Sequence, residues 1–490
     1  MCMVNYPSQM IHLHCHTEMS QLRMLDCIIK VEDLIKHAVK MGFCGVAITD
    51  HESVSGYVRV IQTVKRLKDS GKINDDFKLI LGNEIYLIDE IKETEDGRKY
   101  CETPFYHFIL LAKDEIGCRQ LRELSSLAWD NYFKTGKMER VPTLKKDLER
   151  VIKSNPGHII ASTACVGGEI PKLILSYVES NDKTYVQKLD ELVYWLLDIF
   201  GEDFYFEIQP SDYEEQKIVN EKLVYLSDFY KIKYIVTCDC HYLNKEDREI
   251  HAAYLNSRDE ERETDDFYRY TYMMSPDEIH EILDKTLGED VVNTAIASTL
   301  EIGGKVKNYD LYHPTIVPAA DIPEFEVSHF FKDEYDTHEY IKKYAYSENI
   351  YDRYLLKLIE DGYQKKVPYQ TIDEEKHKEQ IDRIEIELKE MLLVTEKINT
   401  SISSYYLTTL ELIDIMWNEG DSIVGPARGS VTGMYTMYLI DLIQVNPLDW
   451  DLPYWRHISH EKAELSDRLM SLCTVTYIEK CGELRNLRCA

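Results

Sequence analysis

The first half of the chain alternates short apolar runs with amphipathic helical patterns. Runs of strand length cover Met10–His14, Cys44–Thr49, Lys78–Tyr86, Phe105–Ala112, His158–Thr163, Asp203–Ile208 and Tyr234–Cys238. Between most of them apolar residues recur at helical spacing, as in Val31–Met41, Ser53–Lys68, Leu144–Lys153 and Tyr213–Tyr230. Strand–helix alternation on this scale predicts a mainly parallel sheet with helices outside it. Seven strands in about 240 residues suit a distorted (β/α) barrel. One connection differs: Glu95-Asp96-Gly97, between Tyr86 and Phe105, is a turn signal fit for a hairpin.

From about Arg248 to Tyr312 the pattern turns mixed and helical, with an acidic stretch at Asp259–Asp266. Pro314, Pro318 and Pro323 cluster in His313–Glu326 and read as a connector. Helical periodicity resumes over Tyr340–Lys365. A long charged helix is expected over about Asp373–Thr395, its acid–base pairs making a solvated face. A buried helix at Tyr405–Trp417, the glycine-rich segment Gly425–Gly433 and an apolar helix at Met434–Ile443 complete the pattern.

Composition narrows the setting. The 490 residues carry 57 Lys and Arg against 87 Asp and Glu, a formal charge of −30. That excludes a protein that coats nucleic acid through bulk attraction to phosphate, though not a local channel or metal centre that engages a phosphodiester. No basic segment followed by an apolar run precedes Met10, and no apolar stretch reaches the length of a membrane span. The 12 cysteines lack the spacing of a disulfide framework and read as reduced thiols, so a cytoplasmic chain is expected.

Candidate chemistry sits at the strand ends, where ligands gather in parallel α/β layouts. His12, His14 and His16 alternate, which places three imidazoles on one strand face; a half-exposed strand is the plain alternative. The second strand runs into Asp50-His51 and the third carries Glu84. The hairpin return brings His107 beside the end of the outgoing strand. The fifth strand leads to Cys165, and the last to Asp239 and His241. Each has a bland reading: Asp50 as a helix cap, Cys165 as a small buried hydrophobe, Glu84 as the partner of a surface lysine. Together, mixed N, O and S donors suit Zn²⁺, Mn²⁺ or Fe²⁺, and their number implies two or three ions sharing carboxylates.

In this order, His-Leu-His-Cys-His-Thr, Ile-Thr-Asp-His, Gly-Asn-Glu-Ile-Tyr, Tyr-His-Phe-Ile-Leu-Leu-Ala, Ala-Ser-Thr-Ala-Cys-Val-Gly-Gly-Glu-Ile and Cys-Asp-Cys-His-Tyr-Leu resemble the PHP (polymerase and histidinol phosphatase) domain. The resemblance is to the PHP domain that begins the α subunit of bacterial DNA polymerase III. It implies a distorted (β/α)7 barrel with up to three divalent metals at its mouth. Their ligands would be His14, His16, Asp26, His51, Glu84, His107, Cys165, Asp239 and His241, with His12 a neighbour. Asp26 matches the family's aspartate at a longer spacing, after a small insertion at Gln21-Leu22-Arg23. Glu84, Asp239 and His241 are implied as the catalytic set. The implied activity is phosphodiester hydrolysis, as in 3′→5′ proofreading: a bridged water of lowered pKa attacks phosphorus in line while the ions neutralise its oxygens.

A glycine-rich loop before a helix is by itself most simply a tight turn. Here Ser404-Tyr405-Tyr406-Leu407 followed by Gly425–Gly433, then Asn446-Pro447-Leu448 and Trp455–Leu465, resembles the start of the polymerase III palm. The resemblance implies that Arg428, Gly429 and Ser430 meet the phosphates of an incoming dNTP. It also implies DNA, at the primer 3′ end, as a partner, with other replisome subunits or a separately encoded C-terminal half. No membrane partner is expected. The expected division is a PHP domain at 1–255, a helical connector and first part of the palm at 256–395, an α+β palm segment at 396–465 and a divergent tail at 466–490.

In that tail Asp467 takes the place of the family's first palm aspartate, but its partner position holds Leu469. The chain is therefore expected not to polymerise alone, Mg²⁺ serving only if the missing palm is supplied. A frameshift, a split gene or an inserted element would each explain the tail. The expected function is that of the N-terminal portion of a replicase with a hydrolytic PHP site. A stand-alone phosphatase or nuclease and a non-catalytic replication scaffold are the alternatives.

Overall fold

The computed structural model describes residues 8–22, 26–135, 138–257, 266–308, 311, 317–420 and 422–463. The tail at 466–490, with Asp467 and Leu469, lies outside them, as do Arg23 and Pro314. The chain divides into two compact units, 1–311 and 312–490.

The first unit is built on β1 (Ser8–His12), β2 (Phe43–Ile48), β3 (Lys78–Ile88), β4 (Tyr106–Ala112), β5 (Ile159–Ser162), β6 (Phe204–Ile208) and β7 (Tyr234–Val236). They lie side by side in chain order in one curled sheet, extended off β3 by the short pair Thr143–Leu144. All neighbours are parallel except β4, which runs antiparallel to both β3 and β5. The reversal comes from the expected hairpin, whose tip pairs Lys92–Glu93 with Lys99–Tyr100 and turns at Gly97 with φ +80°. Residue for residue, Tyr86 is paired with His107, so the start of β4 does sit at the end of β3.

Helices α1 (Val31–Lys40), α2 (Tyr57–Asp69), α3 (Glu115–Asp130), α4 (Lys145–Ser154), α5 (Glu169–Ser180), α6 (Thr184–Phe200) and α7 (Glu214–Tyr230) connect the strands. Their buried stripes, such as Leu34, Ile35 and Ala38 of α1, pack against outward residues of the sheet such as Val46 and Ile48. Ile11, Leu13, Ala47, Ile80, Ile109, Leu111, Ile160, Tyr205 and Ile235 form a separate inner cluster.

Two devices bring the sheet's edge strands together. At the mouth, Cys15 and Cys240 form a parallel bridge: the His16 N–H donates to the Cys240 carbonyl (2.9 Å) and the Cys240 N–H to that of His14 (3.1 Å). Elsewhere along the seam the chain, having passed α8 (Arg248–Leu255) and α9 (Pro276–Leu283), lays α10 (Glu289–Lys305) against β1 and β7. Ile302 of α10 joins the inner cluster, Thr299 Oγ1 accepts from the Ile11 N–H at 3.2 Å, and Gly303 admits the Ile11 side chain. A Cβ at Gly303 would stand 2.2 Å from Ile11 Cδ1.

The second unit is helical: α11 (Glu339–Ala345), α12 (Ile350–Lys366), α13 (Glu374–Ile398), α14 (Ile402–Asn418) and α15 (Tyr435–Leu439). The helical periodicity expected over Tyr340–Lys365 corresponds to two helices, α11 and α12. Ser347 accepts from the Asn349 N–H, and Asn349 caps α12 by accepting from Tyr351 N–H, so the chain re-starts rather than continues. α13 is not merely a solvated face, since Ile381, Ile384, Glu387, Leu388, Met391 and Val394 are buried. α14 is buried only near its start, with Met416 and Trp417 exposed. The helix expected at Met434–Ile443 ends at Leu439, because Asp441 turns left-handed at φ +63°. No described helix is long and apolar enough to cross a membrane.

Candidate metal centre

At the end of β1 the backbone leaves strict alternation. His12 does not share a face with the two following histidines. It lies edge-on to Phe43, 4.6 Å between ring centroids, while His14 and His16 turn to the mouth. A periodic reading from sequence assumes a straight strand, and β1 ends at His12.

Glu84, on the inward face of β3, is the hub. Its Oε1 is 2.9 Å from His107 Nδ1 and 3.6 Å from His14 Nε2. Its Oε2 is 2.5 Å from His51 Nδ1 and 3.4 Å from His16 Nε2. One fully buried carboxylate therefore serves two pairs of imidazoles, and none of its partners is a lysine. Asp239, held left-handed at φ +48° just past β7, supplies the second carboxylate. Its Oδ1 lies 3.1 Å from His14 Nε2, 3.0 Å from His16 Nε2 and 3.5 Å from His241 Nδ1.

Asp26 reaches His51 Nε2 at 3.1 Å, and the His16 ring stacks on His51 with centroids 4.0 Å apart. Cys165 Sγ is 3.6 Å from His107 Nδ1. Gly167 and Gly168 let that strand end close in: a Cβ on Gly167 would stand 3.0 Å from the His107 ring. The nine expected ligands thus converge. All are buried except His107, whose side chain is 28% exposed.

This density of lone pairs fits shared cations. Donor atoms about 2.1 Å from one ion stand roughly 3–3.5 Å from each other, which is the spacing seen here. His16 Nδ1, Asp26 Oδ1, His51 Nδ1 and Glu84 Oε2 are buried without a hydrogen-bond partner, although His51 Nδ1 and Glu84 Oε2 face one another. Burial works against charge on every group, and neighbours decide the outcome. Burial, with His51 and His241 nearby, pushes His16 down to about 3. For His14 burial is outweighed by Asp239 and Glu207, which hold the imidazole well above its usual range. For Glu84 the opposing groups are His107 and His51, and for Asp239 they are His14 and His241; both carboxyls lie well below the usual range. Burial, with Asp239 and Glu84 near, raises the Cys165 thiol.

The surrounding shell holds a residue the sequence reading passed over. Glu207 of β6, 1% exposed, takes His14 Nδ1 at 2.7 Å, and Ser162 (2.6 Å), Thr237 (2.5 Å) and Gln209 (3.0 Å) all donate to it. Its signal was a lone carboxylate inside the apolar strand Phe204–Ile208. Asp50 does not cap a helix, since α2 begins only at Tyr57; it accepts from Thr17 N–H (2.6 Å), Thr17 Oγ1 and Ser20 Oγ. Burial pushes Asp50 up to about 6.

In the second unit, Arg428 and Gly429 are exposed ahead of a 3₁₀ turn at Ser430–Gly433. Gly429 has φ +75°, a conformation that favours glycine. Gly433 serves packing instead, since a Cβ there would stand 2.5 Å from the Pro453 carbonyl. Ser430 Oγ pairs with His457 Nδ1 at 3.0 Å, a partner the sequence reading did not single out. Beneath the turn Arg383 donates to the Gly433 (2.6 Å) and Leu452 (2.7 Å) carbonyls and to Glu387 (2.7 Å). Glu387 in turn accepts from the backbone of Tyr435 and Thr436, each at 2.8 Å.

Comparison with known proteins agrees with this division. Residues 12–211 match the PHP domain, and residues 353–474 match the bacterial DNA polymerase III alpha NTPase domain. The "DNA-directed DNA polymerase" of Bacillus phage SPbeta is 45% identical over 469 residues, covering 94% of this chain and 36% of that protein. The "Probable DNA polymerase YorL" of Bacillus subtilis gives the same figures, 45% over 469 residues with 94% and 36% coverage. The "DNA polymerase III subunit alpha" of Campylobacter jejuni is 27% identical over 480 residues, covering 95% of this chain and 36% of that one. The chain thus spans about a third of the length of these relatives.

Proposed function

We propose, from the premise that the chain joins a PHP domain to a bacterial DNA polymerase III alpha segment, that its barrel mouth hydrolyses phosphodiesters. The substrate proposed is the 3′ end of a DNA strand, with removal of the terminal nucleotide. The observation that carries the reading is Glu84, one buried carboxylate shared by His14, His16, His51 and His107.

His14, His16, Asp26, His51, Glu84, His107, Cys165, Asp239 and His241 would hold two or three divalent ions, zinc, manganese or iron by donor type. When bound, such ions lower the pKa of water and neutralise charge on phosphoryl oxygens. The chain's own contribution is pre-organisation. Glu84 and Asp239 stay ionised, Glu207 fixes the His14 ring, and burial keeps His16 neutral with its lone pair available. His107, the partly exposed member, marks the side open to substrate.

Arg428, Gly429 and Ser430 are proposed to meet nucleotide phosphates, as backbone N–H groups beside a guanidinium suit them. With Leu469 where the resemblance places a second palm aspartate, the chain alone is expected to leave a primed template unextended. Extension by the purified chain would refute that.

The test is a 5′-labelled oligonucleotide incubated with the purified chain and Mn²⁺ or Zn²⁺. Stepwise shortening from the 3′ end, stopped by a chelator and lost in His14→Ala and Asp239→Ala, is expected. Unchanged activity in both variants would show that the mouth is not the hydrolytic centre.

A further inference from the structure

Behind the mouth, on the other side of the same two strand ends, lies a second group of metal-type side chains. His12, Cys15 and Cys240 each offer a ligand atom, all within 4.8 Å of one another, and all three are buried. The Cys15–Cys240 bridge accounts for their meeting. It sets the two strand ends in register: His14, His16, Asp239 and His241 meet at the mouth, while Cys15 and Cys240 belong to the hydrophobic cluster outside the sheet. Cys238, two residues before Cys240, is buried as well and close enough to His12 to interact with it electrostatically.

His12 is oriented as a ligand is. Its Nε2 lies 3.0 Å from the Met274 carbonyl oxygen, which can only accept, so that nitrogen carries the proton. The lone pair is left on Nδ1, which faces Cys240 Sγ at 3.9 Å. A ring nitrogen committed to a carbonyl while the other meets the ion is the usual setting of a metal-binding histidine. One buried cysteine behaves as a small hydrophobe. Three beside an imidazole of this tautomer form a four-donor set, and sulfur-rich four-donor sets bind zinc tetrahedrally.

We propose that His12, Cys15, Cys238 and Cys240 hold a structural zinc ion that staples β1 to β7 where the barrel closes. On binding, the three thiols lose their protons to solvent and the thiolates bond to zinc, with no redox change. The staple sets the separation of His14 and His16 from Asp239 and His241, and it stands whether or not the mouth is hydrolytic.

Cobalt substitution of the full chain tests it, because thiolate-to-cobalt charge transfer reports sulfur ligands. Strong charge-transfer absorption is expected, falling in Cys15→Ser and Cys240→Ser to no more than the one-thiolate share of Cys165, with the loss of one zinc per chain from each. Cys165→Ser, which alters the mouth, should remove no more than the share of one thiolate. Absorption that survives undiminished in Cys15→Ser and Cys240→Ser, or is lost only in Cys165→Ser, overturns the proposal. If the serine variants do not fold, the wild-type chain is titrated with a mercurial while zinc release is followed. Release in step with several thiols is expected; release with at most one thiol overturns it.

Discussion

Glu207 Oε1 stands 2.7 Å from His14 Nδ1, and both side chains are buried. That contact keeps a proton on Nδ1 and turns Nε2 toward Asp239 and Glu84. Glu207→Gln should keep the fold yet weaken metal binding at the mouth by about 10–100-fold, the usual cost of losing an outer-shell carboxylate. Metal titration of the two proteins checks this. Equal affinities would mean that His14 needs no such support.

Glu84→Gln removes the shared charge and little volume. Hydrolysis should fall by about a hundredfold or more, because the carboxylate that serves both imidazole pairs is lost. Rates at saturating metal, compared with wild type, separate this effect from simple loss of ions.

From α13, Arg383 and Glu387 clamp the junction between the Gly425–Gly433 turn and α15, Arg383 through the Gly433 carbonyl and Glu387 through the Tyr435 and Thr436 N–H groups. Glu387 is fully buried, so Glu387→Ala leaves Arg383 without its counter-charge. A loss of about 3–5 kcal/mol is expected. Denaturant unfolding of the full chain measures it. A cost under 1 kcal/mol would show the clamp to be dispensable.

Burial holds His457 down at about 4, against about 6.5 in an unfolded chain. Between those values the unfolded state binds the extra proton. Stability is therefore full above pH 6.5 and falls as the pH drops toward 4, by about 1.4 kcal/mol per unit at most. His457→Gln, which can still pair with Ser430, should flatten that part of the pH–stability profile. Matching profiles for variant and wild type would assign the slope elsewhere.

Periodicity and turn chemistry specified the barrel's elements from sequence, including the antiparallel β4, because strand alternation and the Glu95-Asp96-Gly97 turn are local properties. The donor residues were also visible as residue types at strand ends. What sequence could not supply was side-chain direction wherever the backbone departs from a regular element. His12, taken to share a face with His14 and His16, points the other way because β1 ends there. The roles of Glu207 and Arg383 likewise depend on partners distant in the chain, His14 across 193 positions and Gly433 across 50. Local patterns decide which elements form. Only the closing of the sheet at Cys15 and Cys240 decides which atoms meet.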